Sequence, residues 1–293
     1  MRLDVTAVAA LTFDDGSPVR AASAIAPFGD GWLVVQDDAT HAAWVRPGSV
    51  TAVRVVEPVG GHEVFSSAAG TKHLKPDFEA ACPAAGGVLL LGSGSTAARM
   101  RASLVTGSGF TVADLTPVYR TVAAALGLRD DQLNLEGACV VGDRLRWFQR
   151  GNLVAGVPNA SVDVDLAALT GAVTGTGGAD RVEVGDVRRY DLGTVAGVAL
   201  AVTDAVPLPG GRVLVSAAAE DTPNAVDDGP VVGAALAVLG DGGVLDAAEF
   251  PVTAKVEGLA IGEPAADGLR LLAVVDADDP EVPSHWLELL LRW

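Results

Sequence analysis

Short apolar runs, separated by turns rich in glycine and aspartate, recur along the chain, and five of them begin alike. SAIAPFGDGWLVVQDD (from Ser23), EAACPAAGGVLLLGSGS (from Glu79), EGACVVGDRLRWFQRG (from Glu136) and TDAVPLPGGRVLVSAA (from Thr203) each open on a polar residue followed by small apolar ones. Pro27, Pro83 and Pro207 stand at the same offset, with Val140 in the third copy. A turn follows, then a second apolar run, and Asp37, Ser93, Arg150 and Ala217 share the offset at its end. The fifth copy, EGLAIGEPAADGLRLLAVVDADD from Glu257, has a longer turn and places Asp276 where the first has Asp37.

Each copy reads as strand, hairpin, strand, and further strand-like runs follow it, HAAWVR and AVRVVEPV after the first. Four strands per roughly 55 residues is the period of a propeller blade. The pattern therefore predicts an all-β, five-bladed β-propeller of antiparallel blades, one domain over residues 1–293. A two-sheet sandwich is the competing architecture, and the repeated proline offset favours the propeller. In the third blade the expected outer strands are NLVAGV (152–157) and SVDVDL (161–166). The fifth blade has only HWLELLLR left, so its missing strand is expected from LDVTAVAALTF at the N-terminal side, which covers exposed strand edges. One helix is expected, TPVYRTVAAALG, with Thr116 as cap, Pro117 in the first turn and Gly127 as stop.

In a propeller the first strand of each blade lines the central channel. Ser23, Glu79, Glu136, Thr203 and Glu257 then form one ring, three of them glutamates. Two residues earlier, on the same strand face, stand Ala21, Asp77, Asn134, Ala201 and Lys255. Converging carboxylates raise one another's pKa unless a cation neutralises them. Lys255 and Lys75 offer positive charge and Asn134 a hydrogen-bond donor. Two readings stand open. In one, the glutamates accept backbone N–H groups of neighbouring blades and stitch the ring together. In the other, Glu79, Glu136 and Glu257, with Asp77 and Asp276, converge on a ligand or on a hard cation such as Ca²⁺, which oxygen ligands suit.

The phrases NLEGACVVGDRLRWFQRGN and KVEGLAIGEPAADGLRLLAVVDADDPEVPSHWLELLL resemble those of phytase-like (esterase-like) bacterial β-propellers, and KPDFEAAC…LLLGSGST resembles an uncharacterised group near that family. The resemblance is spread over blades two to five. It implies the propeller fold and a phosphoesterase or esterase activity with acidic residues binding Ca²⁺, and it implicates Glu79, Glu136, Arg150, Glu257 and Asp276. Ser23 and Thr203 depart from a fully acidic ring. Fold does not carry function, so a non-catalytic ligand-binding or scaffold propeller and a glycoside hydrolase stand beside the metal-dependent hydrolase of phosphoester, ester or lactone bonds.

Composition narrows the partners. Asp plus Glu outnumber Lys plus Arg by 37 to 20, a net charge of −17, which argues against nucleic acid and anionic membranes and leaves a small molecule as the expected ligand. No signal peptide or membrane span is read, two cysteines are too few for a disulfide scaffold, and a cytoplasmic location is expected. Arg150 is a candidate anchor for phosphate or carboxylate, or a salt-bridge partner. His41, following Asp37-Asp38, is a candidate general base. The acidic loop AEDTPNAVDDG (Glu220, Asp221, Asp227, Asp228) and the run Asp276-Ala277-Asp278-Asp279 offer further cation ligands. No HxH or HxxxH pair, P-loop or GxSxG elbow is present.

Overall fold

The computed structural model describes residues 1–222, 229–277, 279 and 281–293, with Pro264 described by its backbone. Its strands form five four-stranded antiparallel sheets, the blades of a β-propeller. The inner strands are Ala22–Phe28, Phe78–Ala84, Leu135–Val141, Ala201–Pro207 and Lys255–Ala265, the five openings that align in the sequence. The second strands are apolar without alternation because stacked blades cover both of their faces: Leu33, Val34 and Val35, Leu89 to Leu91, and Val213 to Val215 are all fully buried. The fifth blade is closed by the strand Arg2–Ala10, which runs antiparallel to His285–Arg292, with Arg2 opposite Arg292 and Ala10 opposite His285.

The expected helix, α1 (Thr116–Leu126), joins blades two and three. Pro117 sits in its first turn, Gly127 ends it at φ 72°, and Leu115 rather than Thr116 occupies the cap position. The third blade departs from expectation. Residues 152–157 make a turn closed by a bridge between Asn152 and Val157, with Leu153 and Val154 exposed, so they contribute no strand. Gly151 explains this locally: its backbone passes so close to Asn159 that an added Cβ would stand 2.7 Å from the Asn159 nitrogen. The third strand is instead Asn159–Asp165 and the fourth Val184–Tyr190. Between them lies a second helix, α2 (Leu166–Thr174), absent from the sequence reading. Asp165 caps it by accepting from the Ala168 N–H, and Gly175 ends it at φ 75°. Both helices bury apolar residues in one core between blades two and three. Among the described residues, no helix is long and apolar enough to cross a membrane.

All five inner strands bulge at the ring position. The pairing with each second strand slips between Ala22 and Ala24, Phe78 and Ala80, Leu135 and Ala138, Val202 and Asp204, and Val256 and Gly258. A bulge re-aims the side chain it carries and resets the alternation beyond it. Hence Cys82 and Cys139, expected on the face turned away from the glutamates, border an apolar cavity of about 430 Å³ at the far end of the channel, beside the repeat prolines Pro27, Pro83 and Pro207. Both cysteines are buried and free.

The glycines that follow Glu136 and Glu257 have a steric reason. A Cβ on Gly137 would stand 2.6 Å from the Asp204 Cα, and one on Gly258 2.9 Å from the Ala24 Cα. The obstacle is the neighbouring blade's backbone, which cannot swing aside. We expect Gly137→Ala to lower unfolding free energy by about 3 kcal/mol, the upper part of the overpacking range, measured as a fall in the urea midpoint. A midpoint unchanged by the substitution would mean that these inner strands pack less closely.

Candidate functional site

The ring residues open into a cavity of about 570 Å³ at the mouth where the inner strands begin. Its lining comes from the first, second, third and fifth blades and from the connection between blades one and two, which contributes Ser67, Lys72, His73 and Lys75. Five of the chain's 20 Lys and Arg residues (Lys72, Lys75, Arg99, Arg150 and Lys255) line this one cavity, in a protein of net charge −17.

The polar residues divide into two networks. In the first, Lys75 Nζ pairs with Asp37 and lies 2.6 Å from Asp77 Oδ1, while Arg99 Nη1 stands 3.0 Å from Asp77 Oδ2. Ser93 donates to the same Asp77 carboxylate. Asp77 itself is held at φ 58°, a left-handed conformation that aspartate tolerates better than most residues. Burial pushes the Asp77 carboxyl up, but Lys75 and Arg99 outweigh it and hold the group below the usual carboxylate range. Glu79 is pushed well above that range, by burial first and then by Asp37 and Asp77, against the pull of Lys75.

The second network crosses three blades. Glu136 Oε1 accepts from Asn134 Nδ2 at 2.9 Å and from Arg150 Nη1 at 3.0 Å. The other end of the guanidinium reaches Glu220 Oε2 at 2.9 Å. Lys255 Nζ lies 3.5 Å from Glu220 and 3.2 Å from Glu257. The second oxygen of Glu136, Oε2, is buried and has no hydrogen-bond partner among the described residues. Burial pushes the Glu136 carboxyl up to about 8, with Arg150 opposing and the Glu257 charge adding to the rise. Glu257 is also raised, chiefly by burial, against Lys255 and Arg150. At neutral pH this wall therefore presents the mostly protonated Glu136 carboxyl beside fixed cations.

The geometry sorts the residues singled out from the sequence. Glu79, Glu136, Glu257, Asp77, Asp276, Lys75, Asn134, Lys255 and Arg150 all line the cavity. They do not make one ligand set. Among the described residues, the carboxylates whose oxygens all come within 4.8 Å of one another are Asp37, Asp77 and Glu79, whereas Glu136 and Glu257 sit on Arg150 and Lys255. Arg150 uses both ends of its fork on Glu136 and Glu220, so it positions carboxylates in this structure instead of offering a free anion anchor. His41 is not part of the lining. It lies on the third strand of blade one with its ring 5.6 Å from that of Phe13, and burial pushes its pKa down. Asp227, Asp228 and Asp278 lie outside the described residues.

The stitching expected of the glutamates is done by their neighbours in the ring. Ser23 Oγ and Thr203 Oγ1 each donate, at 2.6 Å, to a carbonyl of the next inner strand, Phe78 and Val256 respectively. Asp204 Oδ2 accepts from the Leu259 N–H at 2.7 Å. A hydroxyl can donate to a carbonyl and an ionised carboxylate cannot, so Ser and Thr take those ring places.

Glu220, which the repeat reading placed in an acidic loop, joins this second network. It ends the second strand of blade four, three residues past the Ala217 matched to Asp37. That blade has Ala201 and Thr203 on its inner strand and no ring acid, and the side chain of Glu220 supplies the missing charge. With a side chain only 5 % exposed and two cations against it, Glu220→Ala should cost about 3–5 kcal/mol of stability, since Arg150 and Lys255 would be left under-compensated. Chemical denaturation checks this, and a loss below about 1 kcal/mol would place the pair in the range of a solvent-screened contact.

Calcium can be tested against these donors. Asp37, Asp77 and Glu79 are hard oxygen ligands of the right type. Two of the three already carry the Lys75 ammonium and one carries Arg99 as well. In this arrangement the residues do not fit a divalent cation.

Residues 71–280 match the model of a family described as a family of unknown function, DUF6910. Among solved structures, a luciferin-regenerating enzyme is 10% identical, with 94% of this chain and 79% of that one covered and a TM-score of 0.44. Apo AztD from Citrobacter koseri is 11% identical, with 90% and 71% covered and a TM-score of 0.28. No curated protein matches the chain significantly.

Proposed function

The chain belongs to the DUF6910 family of unknown function, and we propose that its channel mouth is a hydrolytic centre for an ester, lactone or phosphoester, with Glu136 as the proton-transferring residue. The observation that carries the reading is the asymmetry of the Glu136 carboxyl: Oε1 is gripped by Asn134 and Arg150, while Oε2 is buried with no hydrogen-bond partner among the described residues. A carboxyl pushed up to about 8 is about 90% protonated at pH 7, so Glu136, which lines the cavity, carries a transferable proton in its wall. That proton goes to the leaving-group oxygen as its bond to the acyl or phosphoryl centre breaks. A water adds its hydroxyl to that centre, and the water's other proton returns to Glu136. One water is consumed and the carboxyl is restored. Negative charge building on the substrate's oxygens would be met by the cations fixed around the cavity, held in place before the reaction.

The resemblance of the Glu136 and Glu257 phrases to phytase-like propellers supports the same chemistry. Glu136 and Glu257 as an acid–base pair of a glycoside hydrolase, or a binding-only propeller, are what the test must separate. Purified protein is offered p-nitrophenyl esters, p-nitrophenyl phosphate, lactones and p-nitrophenyl glycosides between pH 5 and 9. Turnover of an ester, lactone or phosphate is the expected result. Turnover of glycosides alone, or thermal stabilisation by a ligand with no turnover, would replace the proposal.

A further inference from the structure

The point where the channel-mouth carboxylates come closest together is held by a side chain of the protein itself. Lys75 Nζ contacts both Asp37 and Asp77, two of the three carboxylates whose oxygens lie within 4.8 Å of one another, and its side chain is only 13% exposed. Arg99 and Ser93 take up the other oxygen of Asp77. The backbone brings the ammonium there. A short 3₁₀ turn, Lys72–Leu74, precedes Lys75, which is extended at φ −58° and ψ 142° as a residue before proline should be, and Asp77 follows Pro76 in its left-handed conformation. Ca²⁺ takes six to eight oxygen ligands, and an ammonium on two of its carboxylates both withholds those ligands and repels the ion.

We infer that Lys75 is a tethered replacement for a divalent cation: the channel mouth balances Asp37, Asp77 and Glu79 with its own ammonium and takes up no Ca²⁺ until that ammonium is removed. Converging carboxylates can be balanced by a bound ion or by a covalently attached one. The attached one needs no free ion in solution and cannot be removed by a chelator. The inference concerns charge balance at the first network, so it holds whether or not Glu136 is catalytic.

Its test reads melting instead of turnover. The wild-type protein is melted in a chelator and in millimolar Ca²⁺, and its metal content is measured after gel filtration. Equal melting temperatures and no bound metal are expected. Lys75→Met is expected to gain a Ca²⁺-dependent rise of several degrees, by preferential binding to the native state, and Lys75→Met combined with Asp37→Asn to lose it. Stoichiometric Ca²⁺ in the wild type, or a wild-type melting temperature that falls on chelation, overturns the inference. So does a Lys75→Met protein with native circular dichroism that is indifferent to Ca²⁺. If Lys75→Met does not fold, the wild-type measurements decide alone.

Discussion

Glu136→Gln is expected to lower kcat/KM by about 10²–10⁴-fold, the contribution typical of a positioned general acid, while the protein keeps its fold. Glutamine preserves the shape of the side chain and an oxygen acceptor for Asn134 and Arg150, but has no proton to transfer. The pH profile gives the sign independently. The protonated form is the donor, and its pKa is raised to about 8, so wild-type activity should hold through neutral pH and fall as pH rises through about 8. The limb should approach tenfold per pH unit above that value, and Glu136→Gln should lose it along with the activity. Wild-type activity that instead climbs steadily from pH 6 to 9 would mean that the ionised carboxylate is the working form. A Glu136→Gln protein as active as the wild type would remove Glu136 from the chemistry.

Deletion of residues 3–13 should abolish cooperative folding. These residues include most of the strand that pairs with His285–Arg292, and they bury Leu3, Leu11 and Phe13. Burying a side chain of this size contributes about 1.5–3 kcal/mol, so the three together reach about 5–9 kcal/mol before any strand pairing is counted. The net stability of a folded domain is about 5–15 kcal/mol. The truncated fifth blade would also end in an unpaired edge carrying Trp286, Leu287, Leu289 and Leu291, a template for association with other copies. Loss of the melting transition together with aggregation in light scattering is the expected result. A truncated protein that melts as a monomer near the wild-type temperature would show that the first strand is dispensable for closure.

The fold was legible because the propeller repeats itself. The proline offset, the paired turns and the apolar second runs each recur, and a repeated error is improbable where one motif must be read five times. The N-terminal closure followed from the fifth blade's missing strand alone. The misread stretch was the one without a repeat. Residues 152–157 carry strand-like composition, but Gly151 brings the chain against Asn159 and turns it, and the strand expected to run on to Leu166 stops at Asp165, which caps α2. Both are local choices decided by backbone approach, which composition does not record.

The ring of candidate residues was likewise determined by the sequence, since strand position selects which side chains meet at a channel mouth. Which of them touch was not. Glu220 reaches Arg150 of one blade and Lys255 of another from the end of a second strand, and Lys75 reaches Asp37 from a connecting turn. These partners are separated along the chain by tens of residues and become neighbours only when the ring closes. Whether three glutamates need an external cation depends on the positions of those few ammonium and guanidinium groups, because Coulomb energies depend on distance and burial and not on composition. The sequence supplied the charges and their strands, and ring closure decided that Lys75, Arg150 and Lys255 balance the carboxylates while one oxygen of Glu136 takes no hydrogen bond from the described residues.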